Sequence, residues 1–289
     1  MEKYNKIHWK KGLPITPEFF IASDNYHIAE RNLLGRFVAS RLYGILPGRK
    51  FDIKDNILYI DKLEAITRDG YVINIQSNTS FSLKETTDTE CYVIIAVDPH
   101  YIPDPDDADD DKKLSYVYPK YNLVLKRIGE PVEKGIPVLK IRKDGEIDKD
   151  YIPPSIALDS VVRLKEQYRE IKCKLDLIIE KLPENNAVYV QAMLLKFELD
   201  NYTLQESPQE LSLLLKKICR TLQLYLKSEK KINELLFVKR FMEERYDHDD
   251  IGNILQLGFE SLEEINQEMD QVKQLPQPPS PPPIYLPEI

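Results

Sequence analysis

The side chains able to do chemistry in this chain are few and far apart. His8, His27, His100 and His248 are its only histidines, and no two lie within four residues of each other. No His-Glu-x-x-His or Cys-x-x-Cys spacing occurs, so a zinc or iron site has no local ligand set. No Gly-x-Gly-x-x-Gly or Walker-type loop appears among the ten glycines, and no Gly-x-Ser-x-Gly elbow. Phosphate cradling and an activated serine therefore have no visible vehicle. The one dense cluster is Asp98-Pro99-His100 followed by Asp104, Asp106, Asp107, Asp109, Asp110 and Asp111. Such oxygens suit calcium, but the glycine and the bidentate glutamate of an EF-hand loop are missing. Mutual repulsion makes the run 104–111 a solvated loop, or an acidic lure for a basic partner. The expectation is a chain that is not an enzyme and that has no cofactor and no metal.

Bulk composition narrows the class further. The 289 residues suffice for two domains with real cores. The formal net charge is −8, with lysines and arginines interleaved with acids as in Lys165-Glu166 and Arg169-Glu170. Phosphate-neutralising proteins carry a concentrated basic face instead, so nucleic acid is not an expected partner. The longest apolar run, Cys91 to Val97, is seven residues, against roughly 20 for a membrane span. No direct membrane insertion is expected. Met1 to Gly12 has no apolar core of a secretory signal. Cys91, Cys173 and Cys219 are widely spaced within apolar patterns and read as reduced packing residues. The expected location is cytoplasmic.

The elements that must position any site follow from periodicity. Trp9 to Phe20 carries prolines at 14 and 17 after Gly12, an extended and shaped segment. A helix is expected from Thr16 to Leu46, ending at the Pro47-Gly48 turn. Segments 57–60, 71–75, 91–97, 122–128 and 136–141 are rich in β-branched and aromatic residues and separated by glycine turns. That pattern predicts an antiparallel sandwich or barrel. After Pro153-Pro154 the period changes. Val161, Leu164, Tyr168, Ile171, Leu175, Ile178 and Leu182 keep alternating intervals of three and four up to Pro183. This is a heptad helix, fit either for an oligomer seam or for packing inside a bundle. Further stripes run through Val188 to Tyr202, Leu211 to Tyr225 and Ile232 to Met242. The predicted fold class is α+β: a sandwich over 1–152, a helical bundle over 153–275 and a proline-rich tail over 276–289. Seven prolines crowd that tail, which favours polyproline II. Its Ile284, Tyr285 and Leu286 make it either a docking peptide or a stiff, solvated extension.

Three segments taken in order resemble the TssK family of type VI secretion baseplate subunits (ImpJ/VasE). Trp9, Gly12, Ile15, Pro17 and Phe20 fit the spacing of the family's N-terminal Trp-x-Glu-Gly-Met-x-Leu-x-Pro-Gln-His-Phe signature, while Lys11, Glu18 and Phe19 depart from it. Ile136-Pro137-Val138 to Ile141, then Tyr151-Ile152-Pro153-Pro154, match a second signature, in which the double proline opens the first long bundle helix. Ser207-Pro208-Gln209-Glu210-Leu211 resembles the family's Pro-x-Glu-Leu helix.

The resemblance implies a β-sandwich shoulder and a helical neck. It also implies a homotrimer that joins other baseplate wedge proteins and links them to an inner-membrane complex component, at the cytoplasmic face of that membrane. On this reading Trp9, Gly12, Pro14, Pro17 and Phe20 form the wedge contact or, alternatively, plug the sandwich core. The family's larger C-terminal head has no room in residues 229–289, so the tail with Ile284, Tyr285 and Leu286 is expected to serve as the membrane-side tether. A competing reading of the same sandwich is a phage-type or tailocin receptor-binding protein that holds a surface glycan.

Overall fold

The structure is a computed structural model that describes residues 16–39, 43–76, 78–83, 90–103, 117–132, 134–228 and 235–273. The expectations for Trp9, Gly12, Pro14, the run 104–111 and Ile284, Tyr285 and Leu286 lie outside these residues. The first described element, α1 (Pro17–Ala39), opens as the sequence dictates. Thr16 precedes it, Pro17 takes the first turn where a missing N–H costs nothing, and the Thr16 carbonyl accepts from the Phe19 amide. The helix ends well before Leu46, because Gly44–Ile45 forms strand β1.

Seven longer strands follow: β2 (Lys50–Lys54), β3 (Ile57–Ile66), β4 (Val72–Ile75), β5 (Thr79–Ser82), β6 (Cys91–Pro103), β7 (Val117–Arg127) and β8 (Gly135–Ile141). Two antiparallel sheets result. In the first, β1, β2, β4 and β5 all pair with the long β3; in the second, β6 lies between β7 and β8. β3 is buried at Leu58 and Ile60, then at Leu63 and Ala65. The alternation shifts phase there because the register against β2 jumps between Lys50 and Phe51. One extra residue in β3 keeps both halves facing inward, as a bulge does. Leu58, Ile60, Leu63 and Ile73 from the first sheet share one core with Val93, Ile95, Ile136 and Val138 from the second. The expected antiparallel sandwich is therefore present, and β1, β2 and β5 were not anticipated.

β1 has only two residues but a particular role. Ile45 donates to the Pro154 carbonyl at 2.8 Å, and the Ile156 amide donates to the Ile45 carbonyl at 3.0 Å. The double proline is thus clasped against the first sheet. Gly44 makes this possible: its φ is +134°, and a Cβ there would meet Pro154 and Ser155 backbone atoms at 2.7 Å. Gly44→Ala should unfasten this clasp and lower the midpoint of thermal unfolding by several degrees, measured by circular dichroism.

The helical part comprises α2 (Val162–Ile179), α3 (Ala187–Asp200), α4 (Pro208–Ser228), α5 (Leu236–Glu243) and α6 (Ile251–Lys273). Two compact units divide the chain. One holds the described residues up to Arg169 with Tyr202–Ser212 and Arg245–Leu255; the other holds Glu170–Asn201, Leu213–Glu244 and the described residues from Gln256 onward. The chain therefore passes between these units several times.

Within the second unit, charges lace α2 to α3. Lys172 meets Asp200 at 2.8 Å and Asp176 meets Lys196 at 3.1 Å, so the two helices run antiparallel. The two lysines hold the Asp200 carboxyl below the usual carboxylate range. α3 starts at Asn186, whose side chain accepts from the Val188 amide. α5 lacks such a residue, since Leu235 at its cap position offers no side-chain acceptor. Glu264 of α6 takes over: its carboxylate oxygens accept from the Leu236, Phe237 and Val238 amides at 2.8, 3.0 and 3.1 Å. An anion among free amides at a helix N-terminus satisfies both hydrogen bonding and dipole. Glu264→Ala should cost about 1 to 2 kcal/mol of unfolding free energy in a denaturant titration, the usual range for a lost cap.

Candidate functional site

Among the described residues no three His, Cys, Asp or Glu side chains gather as a metal site, and no helix is long and apolar enough to cross a membrane. Cys91 and Cys219 are buried, and burial pushes the Cys219 thiol up to about 12. Cys173, read above as a packing residue, is instead exposed on α2.

A polar cluster that local sequence reading missed closes the first unit. The Tyr43 hydroxyl donates to Asp249 at 2.5 Å and accepts from Arg68 at 2.7 Å, and Arg68 also pairs with the second Asp249 oxygen. Next door, His248 Nε2 lies 2.5 Å from the Tyr43 carbonyl and Nδ1 lies 2.9 Å from the Tyr246 hydroxyl. A carbonyl only accepts, so Nε2 carries the proton and Nδ1 accepts from Tyr246. Both ring nitrogens are engaged, which leaves none to move a substrate proton. This cluster is a fastening rather than a catalytic centre.

The remaining candidates are apolar surfaces. None of the described side chains of α1 is buried; Phe20, Ile21, Leu33 and Leu34 are all more than half exposed. Phe20 therefore does not plug the sandwich core, and neither does Pro17 beside it. These four apolar side chains are among the most exposed in the described residues. α3 presents a second surface. Ala192, Leu195 and Leu199 point inward, while Val190, Met193, Leu194 and Phe197 stay exposed, Phe197 to 68%. Their spacing of three, one and three places them on one side of the helix.

The heptad stripe behaves differently from an open seam. Val161, Leu164, Tyr168, Ile171, Leu175, Ile178 and Leu182 are all buried within the single chain, none more than 5% exposed. These seven side chains pack inward within the single chain. Apolar side chains stay exposed on α3, as on α1.

By sequence alone neither a family model nor a curated relative matches the chain. Its fold, however, has close counterparts among solved structures. A chain of the TssK–TssF–TssG baseplate subcomplex of the type VI secretion system superposes with a TM-score of 0.66 at 14% identity, over 92% of this chain and 99% of that one. A crystal structure of TssK gives 0.64 at 13% identity, over 92% of this chain and 70% of that one. TssK in complex with a nanobody gives 0.59 at 15% identity, over 86% and 99%. The chain has the TssK fold. With 92% of this chain matched, the likeness takes in most of both sandwich and helices. Of the residues expected to bind partners, Pro17 and Phe20 sit together on exposed α1 of this TssK-like chain. The exposed α3 face is added by the structure alone.

The cluster yields a pH signature. Burial, ahead of the neighbouring Arg68, holds the His248 pKa below its ordinary 6.5, with the Tyr43 carbonyl, Asp249 and Asp247 opposing. The unfolded chain thus takes up a proton that the folded chain refuses, and stability falls as pH drops below 6.5. His248→Gln keeps a donor for the Tyr43 carbonyl and an acceptor for Tyr246. Its unfolding temperature should decline less than the wild type's between pH 7.5 and 5, followed by differential scanning fluorimetry.

Proposed function

We propose that this chain is a structural subunit of a type VI secretion baseplate, a homotrimeric adaptor that joins wedge proteins to the membrane-anchoring complex. The observation that supports the reading most is the match to TssK structures over 92% of the chain and both of its layers. On this reading the role is non-enzymatic and cytoplasmic.

The surfaces divide the work. α1, with Phe20, Ile21, Leu33 and Leu34, is the contact for the other wedge proteins, continuous in sequence with Trp9, Gly12, Pro14 and Pro17. The α3 face of Val190, Met193, Leu194 and Phe197 is the contact between copies, in place of the α2 stripe. The segment 276–289, with Ile284, Tyr285 and Leu286 beyond a proline spacer, is the tether toward the inner-membrane complex component. Its null counterpart, a solvated spacer, predicts no effect of its removal.

Each assignment has its own readout. Light scattering should return three times the 33.8 kDa chain mass, and Leu194→Asp with Phe197→Asp should return one chain mass without loss of helical signal. Phe20→Asp with Leu34→Asp should abolish capture of co-expressed wedge proteins at unchanged melting temperature, because neither residue lies in the core. Removing 276–289 should stop secretion while trimer and wedge assembly persist. Binding of the purified chain to cell-surface saccharides, with no capture of wedge proteins, would replace this reading by that of a receptor-binding protein.

A further inference from the structure

Arg49 breaks a rule that buried guanidinium groups obey. It lies between the Pro47-Gly48 turn and β2, and its guanidinium stands over the Phe51 ring at 4.5 Å. Its Nη1 is out of contact with solvent and has no hydrogen-bond partner. No carboxylate forms an ion pair with it among the described residues. Tyr151 breaks the parallel rule for hydroxyls: its oxygen too is buried without a partner, while its ring lies 5.4 Å from that of Tyr92. The two groups are neighbours because the Ile45 clasp holds the 43–51 segment beside residues 151–156. Burial pulls the Arg49 pKa down to about 10, and Tyr151 is the group that acts back on it. Burial likewise drives the Tyr151 pKa well up, so it remains a hydroxyl with a proton to donate.

Unmade hydrogen bonds on buried polar groups are costly, most of all on a charge, and two such groups within electrostatic reach of each other call for a reason. We propose that Arg49 and Tyr151 form a socket for a carboxylate group delivered from outside the chain. A guanidinium fork takes a carboxylate through two parallel N–H···O bonds, and a phenol hydroxyl adds a third donor. One positive charge matches a monoanion. A phosphate dianion fits less well, since Asp249 and Asp250 already add negative charge around Tyr151. Asp249 itself is occupied by Arg68 and Tyr43. Arg49 retains some exposed surface, and its flexible stem lets the fork turn to meet an incoming group.

The carboxylate has two sources, an Asp or Glu side chain of another baseplate subunit or a small free acid; the first rests on the proposed baseplate function. Arg49→Met keeps the stem and removes the unpaired charge, and Tyr151→Phe removes only the hydroxyl. Both full-length variants should melt at or above the wild-type temperature. Each should bind the co-purified wedge proteins about tenfold or more weakly, as loss of a charge-assisted hydrogen bond implies. In a parallel arm, sodium acetate at the same ionic strength as sodium chloride should raise the melting temperature of the wild type and not of Arg49→Met if the socket accepts free carboxylates. Loss of wedge binding with no acetate effect assigns the socket to a partner side chain. If the wild type binds no wedge protein, the baseplate reading fails and the acetate arm alone decides the socket. Undiminished wedge binding by both variants with no acetate effect overturns the proposal, as does a drop of several degrees in the melting temperature of Arg49→Met.

Discussion

Two backbone hydrogen bonds on either side of Ile45 organise the first unit. Through them the segment after the double proline is tied to the edge of the first sheet, and almost everything distinctive nearby depends on that tie. It brings Tyr151 near Arg49, and it sets the Tyr43 carbonyl and hydroxyl where His248 and Asp249 reach them. The tie needs a residue with no side chain at position 44, since the approach of Pro154 leaves no room for a Cβ. A constraint on one backbone position thus fixes three segments that are far apart in the chain.

What could be read from the sequence divides along the range of the interactions. Strands β3, β6 and β8 announced themselves through β-branched runs, and α2 and α4 through their stripes, because the cause of each is local. β2 and β5 did not: Lys50–Lys54 alternates charge with half-buried apolar groups, and Thr79–Ser82 is mostly hydroxyl. Both become strands by pairing with β3. α6 has no stripe of its own in the sequence reading, which gives only a bundle over 153–275. In the structure Gly258 is where Phe241 and Leu215 approach closely enough that a Cβ would meet them near 3.1 Å. The Tyr43–Arg68–Asp249 cluster spans more than two hundred residues and leaves no local trace. The α2 stripe shows the limit most clearly: periodicity reveals that a side is buried, and not what buries it.

The outward apolar face of α3 was legible in principle. Residues 187–200 are apolar on nearly every side, so the stripe through Ala192, Leu195 and Leu199 is accompanied by one through Val190, Met193, Leu194 and Phe197. A helix with two apolar sides has one more than its own unit uses. Residues 17–34 pose the same question more sharply, since nothing described there is buried at all. Apolar surface of this kind is costly to keep in water.

The burial of the α2 stripe has a consequence for how damage to it would register. Those seven side chains turn inward, so trimming one opens a void inside the chain and leaves its outer surface as it was. A lesion there reads first as lost cohesion of the fold, and any loss of association is secondary to it.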